Sequence, residues 1–168
     1  PLTMQVITQC LQAIQNNERI IIQDKELSPC RIEYSVGSNG YTLIAYDHAT
    51  DTFLDYPLRD ESNIIKTAAP RLEDIETIYA NYRDESKRTV TFTLHDANNA
   101  VDRCFNYFSN YTIQAKDIND EEFTIEVSYL PFQEIDILRH LLKLGCAVRI
   151  TDDGPLKKQL ETIYKTAL

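Results

Sequence analysis

Four tyrosines and two arginines fall in one short part of the chain and are the side chains best suited to ligand binding. The tyrosines belong to segments with the pattern of strands in one small sheet. Aromatic rings stack on bases and other rings, and the arginine fork matches a phosphate, so this set could hold an anionic or nucleotide-like ligand. The same side chains could instead serve only packing. The set is Arg31, Tyr34, Tyr41, Tyr46, Tyr56 and Arg59.

Other residue types that carry chemistry are present without a pattern that predicts an enzyme. Asp152-Asp153 and residues 120–122 are neighbouring acids that could recruit a cation, but such acids are typical of solvated turns. His95 beside Asp96 resembles a base with its orienting acid, yet neighbours in a strand point apart and no nucleophile accompanies them. No phosphate loop, nucleophile elbow, H-E-x-x-H motif or Gly-rich dinucleotide turn occurs. The expectation is therefore no catalysis, no metal and no cofactor.

Cysteine spacing and charge narrow the class further. The 4 cysteines lie far apart and outside any C-x-x-C pair, which predicts buried or half-buried thiols rather than a zinc site or disulfides. A net charge of −9 argues against unaided binding to duplex DNA, although a local basic patch could hold a short anion. No signal peptide or long apolar run is present, so we expect a cytoplasmic protein that does not enter a membrane.

The positioning elements of the first half are predicted from hydrophobic period and turn residues. Two alternating segments around a Gly-containing turn at 37–40 predict a β-hairpin over Ser28–Asp47, with Cys30 on the same face as Ile32 and Tyr34. Pro57 indicates an edge or the end of a strand. Around the hairpin we expect a helix over 2–17, a strand over 18–23, a strand over 52–58 and a closing strand over 64–66, which together favour a small curled sheet or barrel.

The second half shows a different order of elements. Residues 71–85 have helical spacing with acidic residues in the first turn, which predicts a helical connector. From residue 87 to 150 the pattern is strand, helix, strand, strand, helix, strand, the split βαβ or ferredoxin-like order, and a helix over 155–168 follows. The expected organisation is a first domain at 1–70, a helical linker at 71–86 and a second domain at 87–168.

The hairpin resembles the pattern of WYL domains, in which a Pro-led strand precedes the strand that carries a Trp-Tyr-Leu triplet. The two segments are SPCRIEYS at 28–35 and YTLIAYD at 41–47. Tyr41 stands at the Trp of the triplet and Thr42 at its Tyr, while Leu43 is retained. The segment TFLDYPLRDESNI is similar to the Arg-bearing closing strand of the family, with Arg59 as that arginine at a slightly different spacing. The part ending in LLKLGCAVRITDDGPLKKQL is similar to the C-terminal extension of bacterial WYL regulators.

This resemblance implies an α+β protein with an Sm-like, SH3-type five-stranded barrel in front and a ferredoxin-like extension behind. Proteins of the family are mostly transcriptional regulators in which an N-terminal winged helix-turn-helix binds DNA and the WYL part is thought to sense a ligand. That ligand is sometimes a nucleotide or single-stranded nucleic acid. No helix-turn-helix precedes Leu2 and the sequence begins at Pro1, so we expect a fragment of a longer regulator that reaches duplex DNA only through the missing part.

Residues and resemblance together predict the ligand-sensing and oligomerisation region of a bacterial transcriptional regulator. Its effector would be small and anionic or nucleotide-like, and the region would form a homo-oligomer. The alternative is a structural interaction module without a ligand, in which the acidic helix and the two sheets make dimer contacts. A hydrolase or nuclease would need clustered acids or histidines that the pattern lacks. The predicted ligand contacts are Arg31, Tyr41, Thr42, Leu43 and Arg59.

Overall fold

A computed structural model of the chain describes residues 2–35, 40–59, 63–119 and 121–167. The predicted α+β class is confirmed, since these residues form two antiparallel sheets and five α-helices. They divide into two compact units, the first extending to Glu85 and the second beginning at Ser86. Most of the predicted turn at 37–40, and Asp120 of the acidic run, lie outside the described residues. Among the described helices, none combines the length and the apolar character needed to cross a membrane.

The first unit is a five-stranded antiparallel sheet with a helix before it and a helix after it. The strand order is β4-β3-β2-β1-β5, so β5 pairs with β1, and β4 and β5 are not paired within the described ranges. Pro57 is the last residue of edge strand β4, as predicted. The elements are α1 (Leu2–Gln15), β1 (Glu18–Ile22), β2 (Lys25–Ser35), β3 (Gly40–Asp47), β4 (Thr52–Pro57), β5 (Ile64–Pro70) and α2 (Ile75–Ser86).

Strands β1 and β2 form a tight hairpin that the sequence pattern did not predict. Ile22 pairs with Lys25, which leaves a loop of only Gln23 and Asp24 between the strands. Both loop residues have positive φ, 48° and 63°, as a type I′ turn requires. The turn lacks the Asn-Gly or Asp-Gly signature that marks such hairpins, so the sequence pattern did not predict it. Strand β2 begins at Lys25, before the predicted start of the hairpin at Ser28.

Helix α1 covers one face of this sheet. Its apolar residues recur at spacings of three and four, and they pack against inward-facing residues of all five strands and Leu58. Burial raises the pKa of the Cys10 thiol to about 12, since the charged form would lose its hydration. The buried core consists of Val6, Ile7, Cys10, Ala13, Ile20, Ile22, Leu27, Leu43, Ala45, Leu58 and Ile64.

Helix α2 packs on the opposite face of the same sheet. Ile75 and Tyr79 of the helix are 1% and 4% exposed. Phe53 of β4 contacts two rings of the helix, with centroids 4.9 Å from Tyr79 and 5.2 Å from Tyr82. The helix predicted as a linker is thus held to the sheet by aromatic packing, and its predicted apolar stripe is the surface that does so.

The segment between β5 and α2 is fastened to strand β2 by hydrogen bonds. The backbone N–H of Leu72 donates to Oγ of Ser28 at 2.8 Å, and the same oxygen lies 2.6 Å from Nε2 of His48. Burial and the charge of Arg19 lower the pKa of His48, which favours the neutral imidazole. Ser28 is fully buried, so this serine–histidine pair holds two segments together and presents no nucleophile at the surface.

Arg71 makes a second fastening at the same point. Its Nη1 donates to the carbonyl oxygen of Pro29 at 3.0 Å, and its backbone N–H donates to the carbonyl oxygen of Asn17 at 2.8 Å. Nη1 also lies 3.3 Å from a carboxylate oxygen of Glu76 in α2. The arginine side chain is only 10% exposed, although Glu76 is 64% exposed, and these contacts tie β2, the α1–β1 turn and α2 together.

The second unit has the predicted order of strand, helix, strand, strand, helix, strand. Its four-stranded antiparallel sheet has the order β7-β8-β6-β9. Gly145, with φ of 63°, ends α4 as predicted, and the tight turn Gly145–Ala147 takes up the first part of the strand predicted over 146–150. The elements are β6 (Arg88–His95), α3 (Ala100–Tyr107), β7 (Thr112–Ile118), β8 (Glu122–Tyr129), α4 (Glu134–Leu144), β9 (Val148–Ile150) and α5 (Pro155–Ala167).

The core of the second unit lies between one face of its sheet and the three helices. Alternate residues of β6 and β8 point into this core, including the fully buried Phe92 and Ile125. The intervening residues of the same strands are polar and partly exposed, with Thr93 opposite Thr124. This alternation is the predicted period-2 pattern of a sheet buried on one side.

The Ser28 fastening makes a prediction about stability. Replacing Ser28 with Ala removes the acceptor of the Leu72 N–H and should lower the free energy of unfolding by about 1–3 kcal/mol, because a buried donor loses its partner. Urea unfolding followed by circular dichroism measures the change. Thr50→Ala, which removes a hydroxyl from an exposed turn of the same unit, should change it by less than about 0.5 kcal/mol. Equal midpoints for the two variants would contradict the assigned role of Ser28.

Candidate functional site

A β-bulge in β2 decides which side chains share a face of the first sheet. Pro29 pairs with Ala45 and Arg31 pairs with Ile44, so Cys30 is the extra residue. Cys30 and Arg31 therefore both lie opposite Ile44, on the side of α2. Burial, and then the carboxylate of Glu76 in α2, raise the pKa of the Cys30 thiol. The predicted placement of Cys30 on the face of Ile32 and Tyr34 is wrong, because a simple alternation does not allow for the bulge, whereas Ile32 and Tyr34 do share a face.

The predicted ligand residues divide between the two faces of the sheet. Arg31 and Thr42 lie on the side of α2, where Thr42 is opposite Glu33. Tyr41 and Leu43 alternate with Thr42 along β3 and so lie on the side of α1. The structure therefore does not bring Arg31 and Tyr41 together. Arg59 follows the end of β4 and is exposed.

The residues on the α1 side differ in their access to solvent. Leu43 is completely buried in the core, so it can contribute to a ligand-binding surface only by packing beneath the residues that form that surface. Tyr41 is 38% exposed and packs against Tyr34, which is 46% exposed, with ring centroids 5.0 Å apart. Tyr34 and Tyr41 form a small aromatic surface where β2 ends and β3 begins. It offers stacking, and Arg31 lies on the opposite face of the sheet.

On the α2 side, two arginines converge on one tyrosine. The guanidinium carbon of Arg31 lies 5.4 Å from the ring centroid of Tyr79, and that of Arg83 lies 5.8 Å from the same centroid. Both distances are within the range of cation–π attraction. The arginine side chain from β2 is 48% exposed, and Arg83 is exposed as well. These two cations and the Tyr79 ring form the arginine pair, the candidate site for an anion.

The electrostatics of the arginine pair are set by burial and by one carboxylate. Oε1 of Glu33 lies 3.7 Å from Nη1 of Arg31, and both side chains of this ion pair are more than 40% exposed. The pKa of the Tyr79 hydroxyl is raised to about 12. Burial is the largest cause and Glu33 raises the pKa further, while Arg83 and Arg31 lower it by less. Tyr79 thus stays neutral and acts through its ring. Exposed ion pairs are weak, so a phosphate could displace Glu33 from Arg31.

Sequence reasoning found Arg31 and missed Arg83. The signal that could have revealed it is local, since Arg83 follows Tyr79 by four residues and so lies on the same face of α2. What no local pattern shows is that this face of the helix meets β2. That contact depends on the bulge and on the packing of Phe53 against the helix.

A buried polar cluster occupies the core of the second unit. His140 is 1% exposed, and its Nε2 donates to Oδ2 of Asp136 at 3.1 Å because an ionised carboxylate can only accept. The hydroxyl of Tyr111 donates to the same oxygen. The imidazole is stacked on the ring of Tyr107 at 5.6 Å. Nδ1 of His140 is buried and has no hydrogen-bond partner among the described residues.

The cluster changes the titration of Asp136. Burial alone would raise its pKa, but hydrogen bonds from His140 and Tyr111 favour the charged carboxylate and hold the pKa below 3.8. The cluster is largely buried, since His140 packs against the rings of Tyr107 and Phe108 and the Asp136 side chain is 27% exposed. It is therefore a source of stability and pH dependence rather than a surface for ligands.

The other candidate residues do not assemble into a reactive site. Both carboxylate oxygens of Asp152 accept backbone N–H groups, from Thr91 at 2.6 Å and Gly154 at 2.9 Å. His95 is exposed at the end of β6. The four cysteines are free thiols, of which Cys10, Cys30 and Cys104 are buried as predicted, while Cys146 is exposed and departs from that prediction. Across residues 2–35, 40–59, 63–119 and 121–167, no group of three His, Cys, Asp or Glu side chains is placed to hold a metal.

Comparisons with known proteins inform the fold and not the activity. No protein-family model matches the chain. No curated protein matches it either. A solved structure of a CRISPR Cas-related protein matches 99% of this chain at 12% identity with a TM-score of 0.52, and the chain covers 50% of that protein. This is a likeness of fold alone.

A second solved structure also matches. It is proteasome accessory factor B/C of Arthrobacter aurescens, matched over 100% of this chain at 15% identity with a TM-score of 0.40. The chain covers 27% of that protein's length. A score this low supports no inference about this chain.

The lowered pKa of Asp136 predicts an acid-sensitive contribution to stability. The charged carboxylate stabilises the native state fully above the pKa of the unfolded chain, and this stabilisation is lost as the pH falls through the lower native pKa. Asp136→Asn should lower the free energy of unfolding at neutral pH by about 1.5–3 kcal/mol. The difference from the unsubstituted protein should shrink as the pH falls below about 5 and through the lowered native pKa. Urea unfolding at a series of pH values measures both effects.

The control for this experiment is Asp153→Asn. Asp153 lies in the same unit and its side chain is 99% exposed, so the substitution makes the same change in charge without touching the cluster. A difference for Asp136→Asn that stays constant with pH would show that the carboxylate has no depressed pKa in the native protein.

Proposed function

We propose that this chain is the effector-sensing and subunit-pairing region of a bacterial transcriptional regulator and that it performs no catalysis. The effector would be a small anion that carries phosphate, such as a nucleotide. The arginine pair would bind it, and Tyr79 would hold the two guanidinium groups in place. The observation that carries this proposal is the convergence of Arg31 and Arg83 on one buried ring.

We infer that the first unit is a WYL-like Sm or SH3-type barrel. Its support is a helix followed by a five-stranded antiparallel sheet in which the last strand pairs with the first. The strongly bulged second strand favours the curvature that a small barrel needs. The degenerate YTL segment in β3 adds the family resemblance of the sequence.

We infer that the second unit is a ferredoxin-like extension of the barrel. Numbered within the unit, its strands have the spatial order 2-3-1-4 and are all antiparallel. Its helices α3 and α4 follow the first and third of these strands. This is the arrangement of the split βαβ motif.

The chemistry of the arginine pair suits a phosphate group. A guanidinium presents parallel N–H donors that bind phosphate oxygens in pairs, and each charge-assisted hydrogen bond contributes more than a neutral one. Two arginines from different elements, β2 and α2, can grip one anion from two sides. Because binding would link α2 more tightly to β2, and because α2 runs directly into β6 through Lys87, effector binding would be transmitted along the chain.

The test replaces both arginines with a neutral residue of similar length. Arg31→Gln with Arg83→Gln keeps the aliphatic stems that cover Tyr79 and removes both charges. Titration calorimetry with pyrophosphate, adenosine diphosphate and a short oligothymidylate should show binding to the unsubstituted protein. The double variant should bind at least about tenfold more weakly, since each lost charge-assisted contact is equivalent to about 1.5–3 kcal/mol.

The matched control is Arg149→Gln with Lys158→Gln. Both residues are exposed on the second unit and the net charge changes by the same amount. Melting temperatures of all variants establish that they are folded. Equal binding by both double variants would place the anion elsewhere, and the absence of binding by the unsubstituted protein would leave the proposal without an effector of this class.

The edge strand β5 favours the second candidate function, a pairing module without a ligand. β5 ends the sheet of the first unit, and its Ile65 is 54% exposed. An open edge with an exposed apolar side chain can add a strand from a second copy. If this edge forms a dimer, Ile65→Lys should convert it to monomers in sedimentation equilibrium, while Ile78→Lys, on α2, should not. A dimer that survives Ile65→Lys would remove β5 from the interface.

A further inference from the structure

A cavity lies on a face of α2 different from that of the arginine pair. It has a volume of about 300 Å³ and lies between the helix and the turn that joins β3 to β4. The helix contributes Ile78, Tyr82 and Glu85, which lie at positions i, i+4 and i+7 and so share one face. The turn and β4 contribute Asp51 and Phe53.

The floor of this cavity is aromatic. Phe53 is 4% exposed and lies at its base, with ring centroids 5.5 Å from Tyr46 and 5.2 Å from Tyr82. The faces of such rings carry the negative end of the ring quadrupole, so they attract a cation that loses some of its water. The cavity is of a size for a single side chain or a small metabolite, and the aromatic rings that line it can pack against the bound group.

The rim of the cavity carries negative charge. Asp51 and Glu85 line it from opposite elements, and the described residues that line it include no Lys, Arg or His. Asp51 is held in place, because the hydroxyl of Tyr46 donates to its Oδ1 at 2.9 Å and its backbone takes a positive φ of 54°. Burial and this hydrogen bond raise the pKa of Tyr46, so the tyrosine remains a neutral donor.

We propose that this cavity binds an organic cation, an alkylammonium or guanidinium group, between the Tyr46, Phe53 and Tyr82 rings and the Asp51 and Glu85 carboxylates. Rings supply attraction to the face of the cation and carboxylates supply the opposite charge, a combination that neither an anion nor a neutral apolar ligand would satisfy. The site is independent of the proposed anion site, since it takes the opposite charge on another face of α2.

The probes separate charge from shape and a free ligand from a side chain. Agmatine presents guanidinium on a small molecule, and acetylated, amidated Gly-Arg-Gly presents it on a peptide. The matching Gly-citrulline-Gly peptide has nearly the same shape without the charge. Binding is measured at low salt by two-dimensional amide NMR, which also locates the site. We expect saturable shifts at residues around Asp51 and Tyr82 with the guanidinium probes and none with the citrulline peptide.

The variants test the two parts of the site. Asp51→Asn with Glu85→Gln removes the charges, and Asn tolerates the positive φ at position 51. We expect the dissociation constant for agmatine to rise by about three- to thirty-fold. Tyr82→Leu keeps an apolar side chain on the helix and should weaken binding by about two- to thirty-fold. Raising the salt concentration should weaken binding to the unsubstituted protein and affect the double variant less.

The matched control is Glu73→Gln with Asp84→Asn, two exposed acids near or on α2 that do not line the cavity. Equal weakening by this control would show only a general effect of net charge and would overturn the proposal, as would equal binding of the citrulline peptide. Tighter binding of agmatine than of the Arg peptide assigns the site to a free cation, and the reverse order assigns it to a partner's side chain. Pyrophosphate binding should be unchanged in Asp51→Asn with Glu85→Gln, so the two proposed sites can fail separately.

Discussion

The bulge at Cys30 in strand β2 is the constraint on which the first unit depends. It places Cys30 and Arg31 together on the side of α2, while Ile32 and Tyr34 remain on the side of α1. The fastening made by Ser28 and Arg71 lies immediately beside it and holds the start of α2 against the same strand. Without the bulge, Ser28 and Arg31 would lie on opposite faces of the sheet, because they are three residues apart and the side chains of a regular strand alternate.

Helix α2 gains two chemically different surfaces from this arrangement. Tyr79 and Arg83 meet β2 and form a cationic surface, while Tyr82 and Glu85 meet the β3–β4 turn and form an aromatic, acidic one. The ring of Phe53 contacts Tyr79 and Tyr82 and so supports both surfaces. One short helix can therefore present opposite charges at neighbouring positions, because its faces are separated by the backbone and by packed rings rather than by distance along the chain.

The stability of the second unit depends on polar as well as apolar interactions in its interior. Its sheet buries one face under helices, and its interior contains the histidine–carboxylate cluster as well as apolar side chains. Such a cluster stabilises a fold only while its hydrogen bonds are made, because an uncompensated buried charge is costly. The stability of this unit thus depends on pH through Asp136.

The sequence by itself determined the α+β class and almost every helix and strand, because hydrophobic period, proline and Gly145 act locally. It also indicated Arg31 and the aromatic strands, since residue types and alternation are visible without a fold. Only the tertiary structure decided that Arg31 and Tyr41 lie on opposite faces, that Leu43 is buried, and that Arg83 joins Arg31 at Tyr79. These outcomes depend on the register between strands and on contacts between residues distant in the chain, and neither leaves a periodic signal in the sequence.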